Sequence, residues 1–192
     1  MSKNVLIVQS ENCTGCNLCT LACSSFKEGK FNPEWARIYV STDGLGGWSR
    51  PMVCLQCEDA LCMAACSVDA IYKTETSKGD IIIKVDSEKC IECGQCVEAC
   101  PYGAINFING LGVVKCDLCD GIPYCVKFCT YNCLNFIEIS DDEYTRCSEN
   151  IKSLTNRIKN EAIFYDLQKR RSLFSLEVAN VLKIPKQKSK RK

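Results

Sequence analysis

The sequence of 192 residues contains no histidine, which removes the side chain most used in general acid–base catalysis. It lacks an apolar run long enough for a membrane-spanning helix, and it has no glycine-rich phosphate-binding motif of the Rossmann or P-loop type. Its most glycine-rich stretch, Gly44–Gly47, has neither the spacing nor the strand-to-helix context of such a motif, so we expect a loop there. These absences argue against hydrolytic or nucleotide-dependent catalysis and against a membrane span.

Cysteine, by contrast, is abundant, with 18 residues. Sixteen of them fall into four quartets, and in every quartet three residues separate the last two cysteines. The first and third quartets have the C-x2-C-x2-C-x3-C spacing of bacterial ferredoxin ligands, whereas the second and fourth have a longer gap before their third cysteine. The quartets are Cys13, Cys16, Cys19, Cys23; Cys54, Cys57, Cys62, Cys66; Cys90, Cys93, Cys96, Cys100; and Cys116, Cys119, Cys125, Cys129.

This spacing predicts 4Fe-4S clusters for a geometric reason. Three cysteines in one tight loop can each bind an iron of the same cluster, while the fourth thiolate points away and binds a neighbouring cluster. Clusters of this kind come in pairs, and four quartets predict four of them. Folding is expected to depend on cluster insertion, because binding energy at sites that the unfolded chain lacks becomes folding energy.

Two other uses of cysteine compete with clusters. A disulfide scaffold would suit an exported protein, but the apolar run Val5–Val8 is too short for a signal peptide, and no twin-arginine pair follows it. Structural zinc usually takes paired Cys-x2-Cys ligands or a mixture of cysteine and histidine. We therefore favour clusters, and we expect a cytoplasmic protein in an anaerobic or otherwise protected setting.

The second and third quartets are surrounded by the strands of a complete bacterial ferredoxin. Met52-Val53 precedes the second quartet, Ala70–Lys73 and Asp80–Val85 lie between the two, and Ala104–Ile108 follows the third. We expect these quartets to share two clusters in one module, residues 51–109.

The first and fourth quartets are also flanked by expected strands. Strands are expected at Val5–Val8, Arg37–Val40, Gly112–Lys115 and Leu134–Ile139. We favour an outer ferredoxin-like module built from residues 1–50 and 110–140, with the other module inserted into it, since this leaves no edge strand unpaired. Pairing of the first quartet with the second is the alternative. Either arrangement belongs to the α+β class.

An internal repeat relates the quartets to one another. Residues 100–108 (CPYGAINFI) align without gaps on residues 129–137 (CTYNCLNFI). Gly103, Asn132 and Asp69 hold equivalent positions, and all three residue types tolerate a left-handed backbone. We therefore expect a turn from ligand loop to strand at each.

Two cysteines stand outside the quartets. Cys133 aligns in the repeat with Ala104 and Ala70, which indicates a small packing residue. Cys147 lies in a polar stretch, and we interpret it as a spectator thiol. Neither is expected to bind a cluster.

From Asp141 onward the ferredoxin pattern gives way to two expected helices. Apolar residues recur at helical spacing from Ile151 to Tyr165, and a second helix is expected from Ser172 to Lys183, before Pro185. This helical extension, residues 141–192, has to cover either the cluster modules or another subunit, and both possibilities are open.

The chain ends in a basic tail. Its charged residues are Lys186, Lys188, Lys190, Arg191 and Lys192. A run of this kind is usually a solvated terminus, and no helix-turn-helix or stacking platform accompanies it, so we expect no binding to nucleic acid.

Over about residues 1–140 the chain resembles the four-cluster iron–sulfur subunits of multi-subunit oxidoreductases, the electron-transfer partners of molybdenum or tungsten enzymes. The resemblance implies two bacterial-ferredoxin-like double-cluster modules, one inserted in the other. It also implies that each cluster takes three cysteines of one quartet and the last cysteine of its partner quartet. The implied ligands are Cys13, Cys16, Cys19 and Cys129 for cluster 1; Cys116, Cys119, Cys125 and Cys23 for cluster 2; Cys54, Cys57, Cys62 and Cys100 for cluster 3; and Cys90, Cys93, Cys96 and Cys66 for cluster 4.

One branch of that family fits best. Residues 116–125 read CDLCDGIPYC. This compact stretch is similar to the CDLC-x-G-x-P-x-C of small subunits that accompany tungsten enzymes of the aldehyde ferredoxin oxidoreductase family, including class II benzoyl-CoA reductase. Subunits resembling those of DMSO reductase usually carry a longer insertion there.

The function implied is electron transfer, with no catalytic residue and no enzyme activity of the chain by itself. Single electrons would pass through four 4Fe-4S clusters between a large catalytic tungsten or molybdenum subunit and a further redox subunit or ferredoxin. A free polyferredoxin that shuttles electrons between several enzymes is the main alternative, and a redox-sensing cluster protein is a third.

Overall fold

Short antiparallel strand pairs flank the cysteine loops. The computed structural model describes residues 2–182, and within that range eight strands form four two-stranded sheets. The strands are β1 (Lys3–Val8), β2 (Tyr39–Asp43), β3 (Trp48–Met52), β4 (Ile71–Glu75), β5 (Ile81–Val85), β6 (Ile105–Ile108), β7 (Gly112–Lys115) and β8 (Leu134–Ile139). β1 pairs with β8, β2 with β3, β4 with β5 and β6 with β7.

Six α-helices accompany these sheets in the described part of the chain, which confirms the α+β class. The helices are α1 (Leu18–Glu28), α2 (Leu61–Ala64), α3 (Gln95–Ala99), α4 (Tyr124–Lys127), α5 (Asp141–Ala162) and α6 (Leu167–Val181). Helices α1 to α4 each begin one residue before the third cysteine of a quartet. Between residues 2 and 182, none of the helices combines the length and the apolar character needed to cross a membrane.

Strands β1 and β8 join the two ends of the cysteine-bearing region. Their register runs from Lys3 opposite Ile139 to Val8 opposite Leu134. Val8 and Leu134 are buried, so the pair ends in the core, next to the first and fourth quartets. Both strands lie where the sequence predicts them.

Strands β4 and β5 form a hairpin that is tied to β1. Residues 77–79 make the turn between them, and Gly79 takes a φ of 81° there. The carboxylate of the buried Asp80 accepts hydrogen bonds from Asn4 of β1, with 2.8 Å to its backbone nitrogen and 3.1 Å to its side-chain amide. Because this carboxylate is satisfied by two donors, it can be buried without a cation beside it.

The remaining strands pair with their neighbours in sequence. Strand β3 pairs with β2, and β6 pairs with β7. Each pair is a hairpin with a short connection, at residues 44–47 and 109–111, and strands joined by short turns usually pair with each other. Both hairpins cross an expected module boundary. The loop expected at Gly44–Gly47 is one of these connections.

Helix α5 begins at the predicted residue. The Ser140 side chain accepts a hydrogen bond from the Glu143 backbone, and the Glu143 carboxylate accepts one from the Ser140 backbone, which is a reciprocal capping box. The buried residues along the helix follow helical spacing. They are Ile151, Leu154, Thr155, Ile158 and Ala162.

Helix α6 begins earlier than the sequence predicts. It starts at Leu167 instead of Ser172, because Asp166 caps it by accepting a hydrogen bond from the Lys169 backbone at 2.8 Å. The expected end at Lys183, the stop at Pro185 and the basic tail fall outside the described residues.

Both C-terminal helices cover the cluster-bearing body of the same chain. The hydroxyls of the buried Tyr102 and Thr155 of α5 lie 2.6 Å apart. The buried Arg170 of α6 donates to the carbonyls of Glu98 at 3.0 Å and Cys100 at 3.3 Å, at the end of α3. The buried faces of these helices are therefore occupied within the chain.

Replacing Arg170 by methionine should loosen α6 from α3. The variant leaves several buried carbonyls of α3 and α5 without their donor, and each unsatisfied group costs about 1–3 kcal/mol. We expect the melting temperature of the iron-loaded protein to fall by roughly 4 °C or more, since 1 kcal/mol corresponds to about 2–4 °C for a chain of this size.

The matched control is Arg157→Met. Arg157 of α5 pairs with Glu177 of α6 at the surface, and exposed pairs contribute about 0–1 kcal/mol. If the two variants lost the same stability, Arg170 would not be an anchor of α6.

Candidate metal centres

The four cysteine loops share one backbone geometry. The residue before the second cysteine has a positive φ in each loop: Gly15 (72°), Gln56 (49°), Glu92 (56°) and Leu118 (52°). A left-handed conformation costs a non-glycine residue about 1–2 kcal/mol, so it persists only where the surrounding structure holds it. It lets a short loop turn around one centre. Glutamine, glutamate and leucine give no sequence signal for such a turn.

The last cysteine of each quartet is oriented by a backbone amide. Gly103, Asn132 and Asp69 have φ values of 65°, 52° and 50°, which confirms the predicted left-handed turns. These turns aim an amide back at the preceding sulfur. The resulting N–H···S contacts run from Ala70 to Cys66 (3.2 Å), Ala104 to Cys100 (3.4 Å) and Leu134 to Cys129 (3.4 Å), and Cys23 receives one from Arg37 (3.2 Å). Hydrogen bonds of this kind favour the charged thiolate.

The structure brings the quartet cysteines together in four sets. Set 1 is Cys13, Cys16, Cys19 and Cys129; set 2 is Cys116, Cys119, Cys125 and Cys23; set 3 is Cys54, Cys57, Cys62 and Cys100; set 4 is Cys90, Cys93, Cys96 and Cys66. The cysteines of sets 1, 3 and 4 each line one shared cavity. In set 2, burial followed by the charges of Cys116, Cys23 and Cys119 raises the pKa of the Cys125 thiol.

The thiols within a set repel one another when they are charged. Burial, then the charges of Cys129, Cys13 and Cys16, raises the pKa of Cys19 to about 12. In sets 3 and 4, burial and neighbouring thiolates raise the pKa of Cys62 to about 12 and that of Cys96 to about 11. Four thiolates can therefore share such a cavity near neutral pH only if positive charge is placed among them.

Neighbouring sets lie close enough for their charges to interact. Cys19 of set 1 contributes to the raised pKa of Cys125 in set 2, and Cys54 of set 3 contributes to that of Cys116 in set 2. Cys96 of set 4 does the same for Cys62 of set 3. Set 2 therefore neighbours sets 1 and 3, and set 4 neighbours set 3.

These donor sets fit iron–sulfur clusters better than single ions. Within residues 2–182, no three His, Cys, Asp or Glu side chains converge closely enough to hold one metal ion. Thiolates around a zinc ion lie about 2.3 Å from it, whereas here the four thiols of sets 1, 3 and 4 line a shared cavity without converging on one point. All-thiolate ligation is the usual donor chemistry of 4Fe-4S clusters.

Lys115 is a buried cation between two of the sets. It ends β7 immediately before Cys116, and it also lines the cavity of set 3. Burial by itself would lower the pKa of Lys115, but the thiolates of Cys54, Cys116 and Cys62 raise it above its usual value. Its ammonium thus lies among the cysteines of sets 2 and 3.

The two cysteines outside the quartets occupy different environments. Cys133 is buried in the wall of set 1, where its thiol donates a hydrogen bond to Cys13 and lowers the pKa of Cys13 to about 6. The repeat predicts its small size but not this contact. Cys147 is half-buried on α5, with its sulfur 3.6 Å from the carbonyl of Val181.

Comparisons with known proteins agree with this chemistry. Two profiles, each described as a 4Fe-4S binding domain, match residues 83–106 and residues 10–28. The polyferredoxin-like subunit of aliphatic sulfonate oxidoreductase from Pyrococcus furiosus is 41% identical over 119 residues, which cover 62% of this chain and 66% of the relative. An uncharacterized ferredoxin of Methanocaldococcus jannaschii is 38% identical over 119 residues, which cover 62% of this chain and 67% of the relative.

A solved structure has a weaker likeness. The active site complex BamBC of benzoyl coenzyme A reductase, bound to benzoyl-CoA, aligns with 85% of this chain and 96% of the matched chain. The identity is 24% and the TM-score is 0.45, a value too low to establish a shared fold.

The cysteine sets and the profiles define a protein that binds 4Fe-4S clusters. The chain belongs to the family of ferredoxin-like iron–sulfur electron-transfer proteins. This membership confirms the prediction of an iron–sulfur electron-transfer protein. The chain spans 66%, 56% and 35% of the length of three curated oxidoreductase subunits that it matches.

Gly103→Ala should disturb the turn that orients Cys100. The substitution places a Cβ in a left-handed position, at a cost of about 1–2 kcal/mol, and that Cβ would lie 2.9 Å from the carbonyl oxygen of Leu167 in α6. Helix α6 would therefore have to shift. We expect the melting temperature of the iron-loaded variant to fall by roughly 4 °C or more.

Gly29→Ala is the control, because Gly29 has a similar φ of 67° but open space where its Cβ would lie. The stability lost in Gly29→Ala should be limited to the cost of the left-handed conformation. A loss as large as that of Gly103→Ala would show that the contact with α6 has no effect.

Proposed function

We propose that this chain holds four 4Fe-4S clusters in a row and relays single electrons between a catalytic tungsten- or molybdenum-pterin subunit and a second redox partner. The single observation that carries the proposal is the gathering of sixteen thiols into four adjacent sets of four. A 4Fe-4S cluster bound to such a set accepts and releases one electron. The chain's own residues hold, orient and shield the sets.

The assignment of ligands to clusters 1 to 4 follows sets 1 to 4. Its support is the crossing of quartets: Cys129 lines the cavity of set 1, Cys100 that of set 3 and Cys66 that of set 4. Each of these cysteines follows a short helix that carries the third cysteine of another set. One helix thus contributes to two neighbouring centres.

The proposed outer module, residues 1–50 and 110–140, is supported by contacts between its two segments. β1 pairs with β8, the rings of Phe26 and Tyr124 stack with centroids 3.8 Å apart, and Lys27 pairs with Asp117 at 2.6 Å. The inserted module, residues 51–109, keeps the β4–β5 hairpin between its two quartets. The hairpins β2–β3 and β6–β7 connect the modules.

The inner part of the row is shielded from water. Tyr102, Ile105 and Leu55 are buried around set 3, and Thr155 of α5 closes its cavity. Low local polarity and backbone N–H···S bonds are the means by which a protein sets the potential of a cluster. Of the large side chains near the cysteine loops, Tyr102 and Ile105 are buried, whereas Tyr131 and Ile91 are largely exposed.

A large catalytic partner is proposed from relatives of this chain. The Pyrococcus relative is named as a subunit of an oxidoreductase, and the compact residues 116–125 resemble small subunits of tungsten enzymes. The cytoplasm remains the predicted location. A free polyferredoxin is the alternative, and a further redox subunit or a ferredoxin would be the second partner.

The ligand sets can be tested with paired substitutions. If Cys13 and Cys129 bind the same cluster, the double variant Cys13→Ser/Cys129→Ser should lose only about four of roughly sixteen irons. The variant Cys13→Ser/Cys66→Ser, which affects two sets, should lose about eight. Iron and acid-labile sulfide per chain, measured after anaerobic reconstitution, distinguish the two results.

Cys147→Ser is the control and should keep all the iron. Pairing of the first quartet with the second would exchange the two results, because Cys66 would then complete the cluster of Cys13. A wild-type chain with well under sixteen irons, or with zinc in their place, would contradict the four-cluster assignment itself.

The partner is tested by anaerobic co-purification from the source organism. A tagged chain should bring down a larger subunit and about one atom of tungsten or molybdenum per copy, because a pterin enzyme holds its metal tightly. Elution as a monomer with iron and sulfide alone would contradict a bound catalytic partner and would favour the shuttle.

A further inference from the structure

Lys115 is the feature that electron transfer by itself leaves unexplained. Its side chain is buried, with 7% of the residue exposed. Its ammonium nitrogen donates to the carbonyls of Ile83 and Cys116, each at 3.0 Å, and to Oε1 of Gln56 at 3.4 Å. All three acceptors are neutral, and burying a cation usually requires an anion beside it.

The anions in reach of Lys115 belong to two cysteine sets. The residue lines the cavity of set 3 together with Cys54, Cys57, Cys62 and Cys100. It is also covalently next to Cys116 of set 2, and its ammonium donates to the carbonyl of that cysteine. No carboxylate pairs with Lys115 in the described residues, where the ion pairs involve other lysines and arginines. The counter-charge of this lysine is therefore the thiolates of both sets.

Gln56 holds the ammonium in place. Its side-chain amide donates to the carbonyl of Cys116 at 2.8 Å, and its Oε1 accepts from the backbone of Ile83 at 2.9 Å. These are the same two residues whose carbonyls bind Lys115, so the glutamine fixes the acceptors of the lysine. The side chain of Gln56 is thus held at this site by hydrogen bonds at both ends of its amide.

We propose that Lys115 is a fixed positive charge shared by the two central sites of the row, set 2 and set 3, and that it raises the reduction potentials of both. This inference rests on the proposed function. Reduction adds one electron, and one negative charge, to a site whose core and four thiolates already total about −2. A buried cation stabilises that added charge more strongly than a surface cation can, because little water lies between them. The electron comes from the reductant, and the proton stays on Lys115 throughout.

The consequence is that an added electron is stabilised on the two central sites of the row. Sets 2 and 3 lie between the two ends, and two neighbouring anionic sites repel an electron placed on either of them. A cation between them offsets this repulsion. An electron can then cross the centre of the row without being held at one end.

The test uses the full chain with its clusters loaded, reduced stepwise with dithionite and followed by electron paramagnetic resonance. In Lys115→Gln, two of the four centres should shift by at least tenfold toward the oxidised form at a fixed ambient potential, which is 59 mV for one electron. The other two centres should stay where they are. Lys115→Arg keeps the charge and should restore both potentials to near the wild-type values.

Two further variants make the result decisive. Lys115→Met removes the charge without adding a polar group, so it should load clusters and shift the same two centres even if the glutamine variant folds poorly. Lys152→Gln removes a positive charge that is exposed at the surface and paired with Asp59, and it should shift none of them.

Unchanged potentials in both Lys115→Gln and Lys115→Met would overturn the proposal, as would an equal shift of all four centres. Neither result would contradict the four-cluster assignment, provided that the variants hold about sixteen irons. A wild-type chain with fewer irons would contradict the proposed function instead.

Discussion

The structure depends on one constraint: sixteen thiolates have to be held in four small, mostly buried spaces where they repel each other. Burial and neighbouring charge raise the pKa values of Cys19, Cys62 and Cys96 to about 11 or 12, so at these three positions the protein alone disfavours the thiolate that binds metal. Positive charge from the bound core offsets this repulsion. Several ligand cysteines, among them Cys19, Cys62 and Cys96, are also part of the hydrophobic core, so metal binding and core formation are coupled.

That constraint explains why strained backbone recurs in every loop. Gln56, Glu92 and Leu118 adopt left-handed conformations that their side chains do not favour. Each loop contains one such residue before its second cysteine. Its left-handed conformation lets three cysteines face one cavity. Gly103, Asn132 and Asp69, which follow the last cysteine of their quartets, are residue types that tolerate a left-handed backbone. The turns at these three positions could therefore be predicted from the sequence.

Much of the fold could be predicted from the chain, and the failures have physical causes. The spacing of cysteines and the pattern of β1 and β8 are local signals, so both were predictable. The pairing of β2 with β3 was not, because a strand's pattern is the same whichever neighbour it has, and only the short connection at residues 44–47 favours the hairpin. The early start of α6 was missed because Arg170 resembles a surface residue, although it is buried on the carbonyls of α3.

Among the candidate site residues, the ligands could be found by spacing, but Lys115 and Cys133 could not. A lysine at the end of a strand is normally exposed to solvent. The burial of Lys115 depends on cysteines that come from distant parts of the chain. Two of the ligand cysteines are exposed, Cys16 of set 1 and Cys93 of set 4, whereas Lys115 and Thr155 of α5 line the cavity of set 3. If electrons enter and leave through the thinnest layer of protein, partners exchange them at sets 1 and 4. The buried charge then serves sets 2 and 3, which no partner has to reach.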